Sequence, residues 1–110
     1  MLFLVELDHV TSGNLTPEAG RAFIEHYIFP TLARAEQLMA EKKILSGGPV
    51  AGRVALRLIM EADSTEHVDR MVTTLPIWPL AKTRITPLTT FAERRDHVRA
   101  LLDELAAGVA

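Results

Sequence analysis

The segment LPIWPLAKTRITPL, residues 75–88, decides the fold of this chain. Two prolines bracket the apolar pair Ile77-Trp78 at the end of an amphipathic stretch. Because proline lacks a backbone donor and cannot extend a helix, this pattern predicts a helix stop and an apolar connector. The residues that follow predict the last strand, over residues 82–90. Trp78, the only tryptophan, is expected either to fill a subunit interface or to form the wall of a pocket.

Three further strands are predicted upstream of this connector. They cover residues 2–8, 44–50 and 54–62, with apolar side chains at alternate positions in the first and third. In the first strand Phe3, Val5 and Leu7 form one face. Glycines interrupt the second strand and indicate a bulge or an edge position. A polar turn is predicted over residues 11–14.

Capping signals mark the helices between these strands. Thr16 before Pro17 predicts the start of the first helix, and Pro30 should kink or divide it near Phe29. Its predicted apolar stripe consists of Ile24, Ile28, Leu32, Ala35 and Met39. The run DSTE at residues 63–66 resembles a capping box that opens a second helix. The predicted buried face of that helix consists of Val68, Met71, Val72 and Leu75.

The predicted order is β-α-β-β-α-β with a terminal helix, which is typical of an α+β, ferredoxin-like sheet. Two helices cover only one face of such a sheet, so we expect a second subunit to cover the other and form a dimeric α/β barrel. Residues 1–90 are predicted to form this domain and residues 91–110 a C-terminal helical extension of it. The terminal helix could pack on its own sheet or reach a neighbouring subunit.

Composition excludes several classes of protein. The chain has 110 residues, of which 48% are hydrophobic, and this richness favours a homodimer or a larger homo-oligomer. The net charge is −2 and the basic residues are scattered, which argues against nucleic acid as a partner. No apolar run approaches the roughly 20 residues of a membrane span. The absence of cysteine rules out disulfides and fits a cytoplasmic protein.

The start MLFLVEL, the hairpin PVAGRVALRLIM, the capped second helix and the connector LPIWPLAKTRITPL together resemble muconolactone isomerase and its relatives. The resemblance covers roughly residues 1–90 and implies a small dimeric α/β-barrel protein of aromatic catabolism. It also implies proton transfer within a compact cyclic or carboxylated metabolite. In the family pattern a histidine stands at the position of Leu4, a lysine at that of Glu6, and a His-Tyr pair at Arg53-Val54.

Ionisable side chains on the polar face of the sheet are candidates for this chemistry. Proton transfer needs a base, and a cation is needed to hold a substrate carboxylate. Glu6 or Glu61 is a candidate base, and Arg57 suits the anchor because its planar guanidinium binds a carboxylate bidentately. Arg84 or Lys82 would extend the same face. The alternative is that Glu6 and Arg57 form only a structural cross-strand ion pair.

A second set of candidates lies near Pro30 and the connector. His26, next to Tyr27, could shuttle a proton at a pocket mouth, and Tyr27 and Trp78 could contact a cyclic ligand. Core or interface packing and a solvated histidine are the structural alternatives. No histidine spacing matches a metal site, and the glycines lack a phosphate-loop pattern. The sequence therefore predicts neither a bound metal nor a cofactor.

Two other functions remain open at this level. A cofactor-independent monooxygenase of the antibiotic-biosynthesis type would use the same fold with an apolar, aromatic pocket. A non-catalytic ligand-binding or assembly module would use the Glu6-Arg57 pair only as an ion pair.

Overall fold

The computed structural model describes residues 1–10 and 15–108, so the polar turn predicted over residues 11–14 lies outside the described part. Four strands form one antiparallel sheet in the order β2-β3-β1-β4. The strands are β1 Leu2–His9, β2 Ile44–Pro49, β3 Ala55–Glu61 and β4 Ala81–Leu88. The helices are α1 Pro17–Phe23, a π-helical segment Ile24–Ile28, α2 Phe29–Ala40, α3 Thr65–Val72 and α4 Phe91–Ala106. The α+β, ferredoxin-like prediction is confirmed.

The two faces of the sheet differ in what covers them. On the helix-covered face, alternate residues of β1 and β3 are almost fully buried. They are Phe3, Val5, Leu7, Leu56, Leu58 and Met60. The opposite face, here called the open face, carries the intervening side chains of β1, β3 and β4, and no helix in the described part of the chain buries it. The alternation predicted for β1 is confirmed.

The first helical region is divided, as Pro30 predicted. The backbone N–H of Phe29 donates to the carbonyl of Ile24, five residues earlier, and so closes a π-helical turn. Pro30 has no N–H to donate, and its ring would clash with the carbonyl four residues before it in a continuous α-helix. The widened turn accommodates the proline, and α2 continues from Phe29.

The predicted stripe of this region is only partly correct. Ile28 and Ala35 pack against the core, but Ile24 and Met39 are exposed. Thr31 and Leu38 are the buried residues of α2 instead. The shift has a polar cause, because the Thr31 hydroxyl accepts a hydrogen bond from the backbone N–H of Ile77 at 3.0 Å. The helix turns this hydroxyl, rather than an aliphatic side chain, toward the connector.

The second predicted helix is confirmed in its buried face, but its cap lies one residue later than the predicted box, and the Asp63 N–H donates to His67 Nδ1 rather than to Glu66. The Ser64 side chain accepts a hydrogen bond from the His67 backbone N–H and caps α3. All four predicted core residues, Val68, Met71, Val72 and Leu75, are buried. After α3 the connector buries Ile77 and forms a short 3₁₀ turn, Trp78–Leu80, before β4 begins.

The terminal helix does not fold back on the sheet. The structure describes α4 in full, and none of its side chains is buried. The described chain measures 68 × 31 × 23 Å along its principal axes, which is much more elongated than a compact domain of this size. Of the two arrangements predicted for the terminal helix, packing on its own sheet is therefore wrong.

Candidate active site

An apolar cavity of about 200 Å³ lies between the helix-covered face of the sheet and the π-helical segment with α2. Its apolar lining comes from the sheet, the helices and the connector. These side chains include Leu7, Leu56, Ile28, Leu32, Ile77 and Ala81. The polar side chains in its lining are His9, Thr31 and Arg53. A mostly apolar cavity with a few convergent polar groups is typical of a small-molecule site.

His9 occupies the last position of β1, opposite Ala81 of β4. It follows Leu7 by two residues, so the strand directs its side chain to the helix-covered face. The imidazole packs against Phe23, with 4.7 Å between ring centroids. Its Nδ1 atom is buried, and no hydrogen-bond partner for it exists among residues 1–10 and 15–108. Packing therefore holds the imidazole ring in place.

Arg53 lies in the turn before β3, at the edge of the same cavity. Its Nη2 donates a hydrogen bond to Asp8 Oδ1 at 2.8 Å. More than half of the Arg53 side chain is exposed, so its remaining donors are accessible. Asp8 also contacts Arg57, whose Nη2 lies 3.1 Å from Oδ1 and 3.2 Å from Oδ2. Asp8 therefore joins the arginine at the cavity to the arginine of the open face.

The predicted pair Glu6 and Arg57 does meet, on the open face. The residues are opposite each other in the β1-β3 register, and Arg57 Nε lies 3.4 Å from Glu6 Oε1. Arg84 is opposite Glu6 on β4 and lines the same polar groove, together with Lys82. Arg57 also donates from Nη1 to its neighbouring carbonyl, Leu56, at 2.9 Å. Its donors are thus engaged by three partners within the protein.

Glu61 is separated from this groove. It is opposite Leu2 at the far end of the β1-β3 pair, four positions along β3 from Arg57. Its Oε1 lies 2.8 Å from the Met1 ammonium group. The structure therefore does not bring the two predicted carboxylate bases together.

The predicted aromatic and histidine candidates also lie apart from the cavity lining. His26 is exposed on the π-helical segment. Tyr27 packs against the core beside Phe23, with 5.8 Å between ring centroids. Trp78 is 38% exposed, and its neighbour Ile77 enters the cavity wall instead. Their predicted roles in binding or catalysis remain predictions.

Sequence reasoning missed His9 and Arg53 as site residues. The alternation that identified Phe3, Val5 and Leu7 extends by one step to His9, and this was the signal available in the sequence. Arg53 follows a glycine in a hairpin turn, where the sequence alone does not indicate which side chains approach the helices.

The described part of the chain offers neither a metal site nor a membrane-spanning helix. No group of three histidine, aspartate or glutamate side chains there could hold a metal ion. Likewise, none of the helices among these residues is long and apolar enough to cross a membrane.

Comparison with known proteins gives one family and two informative structures. The family model for muconolactone delta-isomerase matches residues 1–94. The chain is similar in fold to a crystal structure of muconolactone isomerase, with 20% identity, a TM-score of 0.67, and coverage of 82% of this chain and 90% of that one. A search of curated proteins gives no match.

The second structure is 5-chloro-2-hydroxyhydroquinone dehydrochlorinase from Burkholderia phenoliruptrix AC1100, in complex with 2,5-dihydroxybenzoquinone. It shares 28% identity with this chain, with a TM-score of 0.60 and coverage of 84% of this chain and 98% of that one.

Proposed function

The chain belongs to the muconolactone delta-isomerase family, and from that premise we propose that it is an isomerase that moves a proton within a compact cyclic metabolite. The observation that carries the proposal is the apolar cavity with His9 and Arg53 in its lining. It offers a base and a cation beside an apolar space, and proton transfer within an anionic substrate needs both groups.

The volume of the cavity limits the size of the substrate. Drug-sized ligands occupy pockets of roughly 300–1,000 Å³, whereas this cavity measures about 200 Å³. An apolar cavity of roughly 150 Å³ is known to hold benzene. A single five- or six-membered ring with small substituents therefore suits the space better than a polycyclic substrate does. This limit on size favours the isomerase proposal over a monooxygenase that acts on polycyclic quinols. The monooxygenase alternative remains an untested prediction.

His9 is the group that we assign to proton transfer. Imidazole accepts and donates protons near neutral pH, which suits a step that removes a proton from one carbon and returns it to another. The Phe23 ring, 4.7 Å away, fixes one side of the imidazole. Glu6 was the base expected from the sequence, but it faces a polar groove and an arginine on the opposite side of the sheet.

Arg53 is the group that we assign to the substrate anion. Asp8 holds one of its nitrogen atoms at 2.8 Å, which orients the guanidinium without using all its donors. A carboxylate or an ionised ring hydroxyl at the cavity mouth would satisfy the rest. Arg57 was the expected anchor, but its contacts with Glu6, Asp8 and the Leu56 carbonyl favour a structural role.

A second candidate reaction is loss of hydrogen chloride from a chlorinated, hydroxylated ring. It is supported by the 28% identity to the dehydrochlorinase over nearly its whole length. Such an elimination also begins with proton transfer, and it would use the same cavity and the same His9. The two reactions differ in whether chloride leaves after the proton moves.

One experiment separates the two reactions. The protein is incubated separately with muconolactone and with 5-chloro-2-hydroxyhydroquinone, while proton NMR follows the double bond and an ion-selective electrode follows chloride. Isomerisation of the lactone supports the first proposal, and chloride release supports the second. If neither substrate is converted faster than in buffer, and neither is bound by the protein, both proposals fail.

The proposal also covers the metabolic role, the cell compartment and the oligomeric state of the enzyme. We propose that it acts on a ring metabolite of aromatic catabolism, in the cytoplasm, as a homodimer or a larger homo-oligomer. The open face of the sheet supports the oligomer, because the half-buried side chains of Leu2, Leu4 and Ile59 on it are not covered by any helix among residues 1–10 and 15–108.

A further inference from the structure

Thr31 is the most deeply buried polar residue in the cavity lining, and the roles assigned to His9 and Arg53 do not involve it. It is 4% exposed, whereas His9 is half-buried and Arg53 is exposed. Burial of a hydroxyl in an apolar surrounding is unfavourable unless hydrogen bonds compensate for the lost water. The contacts of the Thr31 hydroxyl therefore indicate what the cavity can bind.

The Thr31 hydroxyl accepts a hydrogen bond but has no acceptor for its own hydrogen among residues 1–10 and 15–108. Its oxygen accepts from the Ile77 backbone N–H at 3.0 Å. A threonine in a helix commonly donates to a carbonyl three or four residues earlier, and just after α3 Thr73 and Thr74 donate in this way. Thr31 makes no such bond within the described ranges, so its donor is available to a ligand.

The position of the hydroxyl places this donor in the cavity wall. Thr31 and Ile77 both line the cavity, and the hydroxyl oxygen lies at the contact between them. Because the Ile77 N–H occupies the side of the oxygen that faces the connector, the hydroxyl hydrogen points elsewhere. A hydroxyl that accepts a hydrogen bond is also polarised by it and donates more strongly. A ligand oxygen in the cavity can therefore receive this donor.

We propose that Thr31 donates a hydrogen bond to a ring carbonyl oxygen of the substrate, an inference that rests on the proposed function. Loss of a proton from the carbon next to a carbonyl moves the C–H electron pair toward the oxygen and forms an enolate. His9 holds the proton, and the Thr31 hydroxyl stabilises the charge on the oxygen. Return of the proton to another carbon of the conjugated system restores the carbonyl, so the step needs no oxidant or co-reactant.

The difference between Thr31 and Arg53 defines the substrate class. Thr31 is a neutral donor in a buried position, which suits an uncharged carbonyl oxygen. Arg53 is a cation at the cavity edge, which suits an anionic group. The substrate of this site is therefore a single ring with a carbonyl oxygen inside the cavity and a separate anionic group at its mouth.

Two ring ligands of matched shape test the role of Thr31. Cyclohexanone carries the carbonyl, and methylenecyclohexane has a CH₂ group in place of its oxygen. NMR titration gives the Kd of each ligand for the wild type, Thr31→Val and Thr31→Ser. Valine keeps the shape of threonine, and its methyl group still covers the Ile77 N–H, so the variant removes the donor alone. The ratio of the two Kd values cancels any loss of folded protein.

This ratio should shift against the ketone by about 10-fold in Thr31→Val and remain near the wild-type value in Thr31→Ser. An unchanged ratio in Thr31→Val would overturn the role of Thr31 and leave the assignments of His9 and Arg53 intact. If the wild type binds neither ligand, the cavity does not hold a ring, and this inference fails together with the proposed function.

Infrared spectroscopy of the wild type gives a second measurement, which needs no variant. The carbonyl stretch of bound, isotope-labelled cyclohexanone should lie at a lower frequency than in cyclohexane as solvent, because a hydrogen bond weakens the C=O bond. A bound ketone with the same frequency as in cyclohexane accepts no hydrogen bond, and that result would also overturn the role of Thr31.

Discussion

The Thr31 hydroxyl accepts a hydrogen bond from the Ile77 backbone N–H at 3.0 Å, and both residues line the apolar cavity. This bond joins α2 to the connector that leads into β4. Pro76 and Pro79 on either side of the Ile77-Trp78 pair prevent a regular helix there. The buried Ile77 N–H therefore has no helical acceptor, and the Thr31 hydroxyl takes that place. The cavity wall is therefore fixed by one polar contact within an apolar surrounding.

Replacement of Thr31 by valine should destabilise the fold by about 1–3 kcal/mol, because it leaves the buried Ile77 N–H without an acceptor. Thr31→Ser retains the hydroxyl and should lose less. Urea unfolding of the two variants measures the difference. If Thr31→Val is as stable as the wild type, the hydrogen bond does not support the wall.

Replacement of Gly47 by alanine should destabilise the sheet by about 2–4 kcal/mol. Gly47 has a φ angle of +110°, and a Cβ there would lie 2.0 Å from the Arg57 carbonyl oxygen. Gly48→Ala is the matched control, because nothing lies within 4 Å of its Cβ position. Thermal denaturation should separate the two variants clearly. Equal melting temperatures would contradict the close approach of β2 to β3.

Replacement of Lys42 by glycine should stabilise the protein by up to about 1 kcal/mol. Lys42 has a φ angle of 61°. It ends α2 in a Schellman motif, with the Lys43 N–H on the Leu38 carbonyl at 2.8 Å and the Lys42 N–H on the Met39 carbonyl at 3.0 Å. Lys42→Ala removes the side chain but keeps the strain, so it should change little. A loss of stability in Lys42→Gly would argue against this helix end.

Replacement of Arg53 by glutamine should raise the KM for an anionic substrate about 10- to 100-fold, since one charge-assisted contact is worth about 1.5–3 kcal/mol. The turnover number should change much less, because Arg53 holds the substrate and does not move the proton. Arg57→Gln tests the alternative anchor and should reduce stability rather than raise KM. The opposite pattern, with KM raised only in Arg57→Gln, would place the anion in the open-face groove.

Much of the architecture follows from local signals in the sequence. Proline at position 30 divided the first helix, Ser64 and Thr16 capped helices, and alternation placed Phe3 in the core. These features depend on backbone chemistry and on the spacing of apolar residues, with a period of two in strands and 3.6 in helices. Both act over only a few residues. The connector was also predictable, because proline restricts the backbone wherever it stands.

The site was less predictable because it depends on contacts between distant segments. The strand pairing brought Glu6 and Arg57 together as expected, but the apolar cavity formed on the other face, where helix packing left space. Thr31 entered the core through a bond to a residue 46 positions away. Neither the cavity nor this bond has a signal in local periodicity.

The most direct test of the account is the rate of deuterium incorporation from D₂O into the converted substrate, measured by proton NMR for wild type, His9→Gln and Glu6→Gln. Loss of a general acid–base group costs roughly 10²–10⁴-fold in rate. The account predicts a loss of this size for His9→Gln and a rate close to that of the wild type for Glu6→Gln. A His9→Gln variant that exchanges at the wild-type rate, with Glu6→Gln inactive, would contradict the assignment of the apolar cavity as the active site.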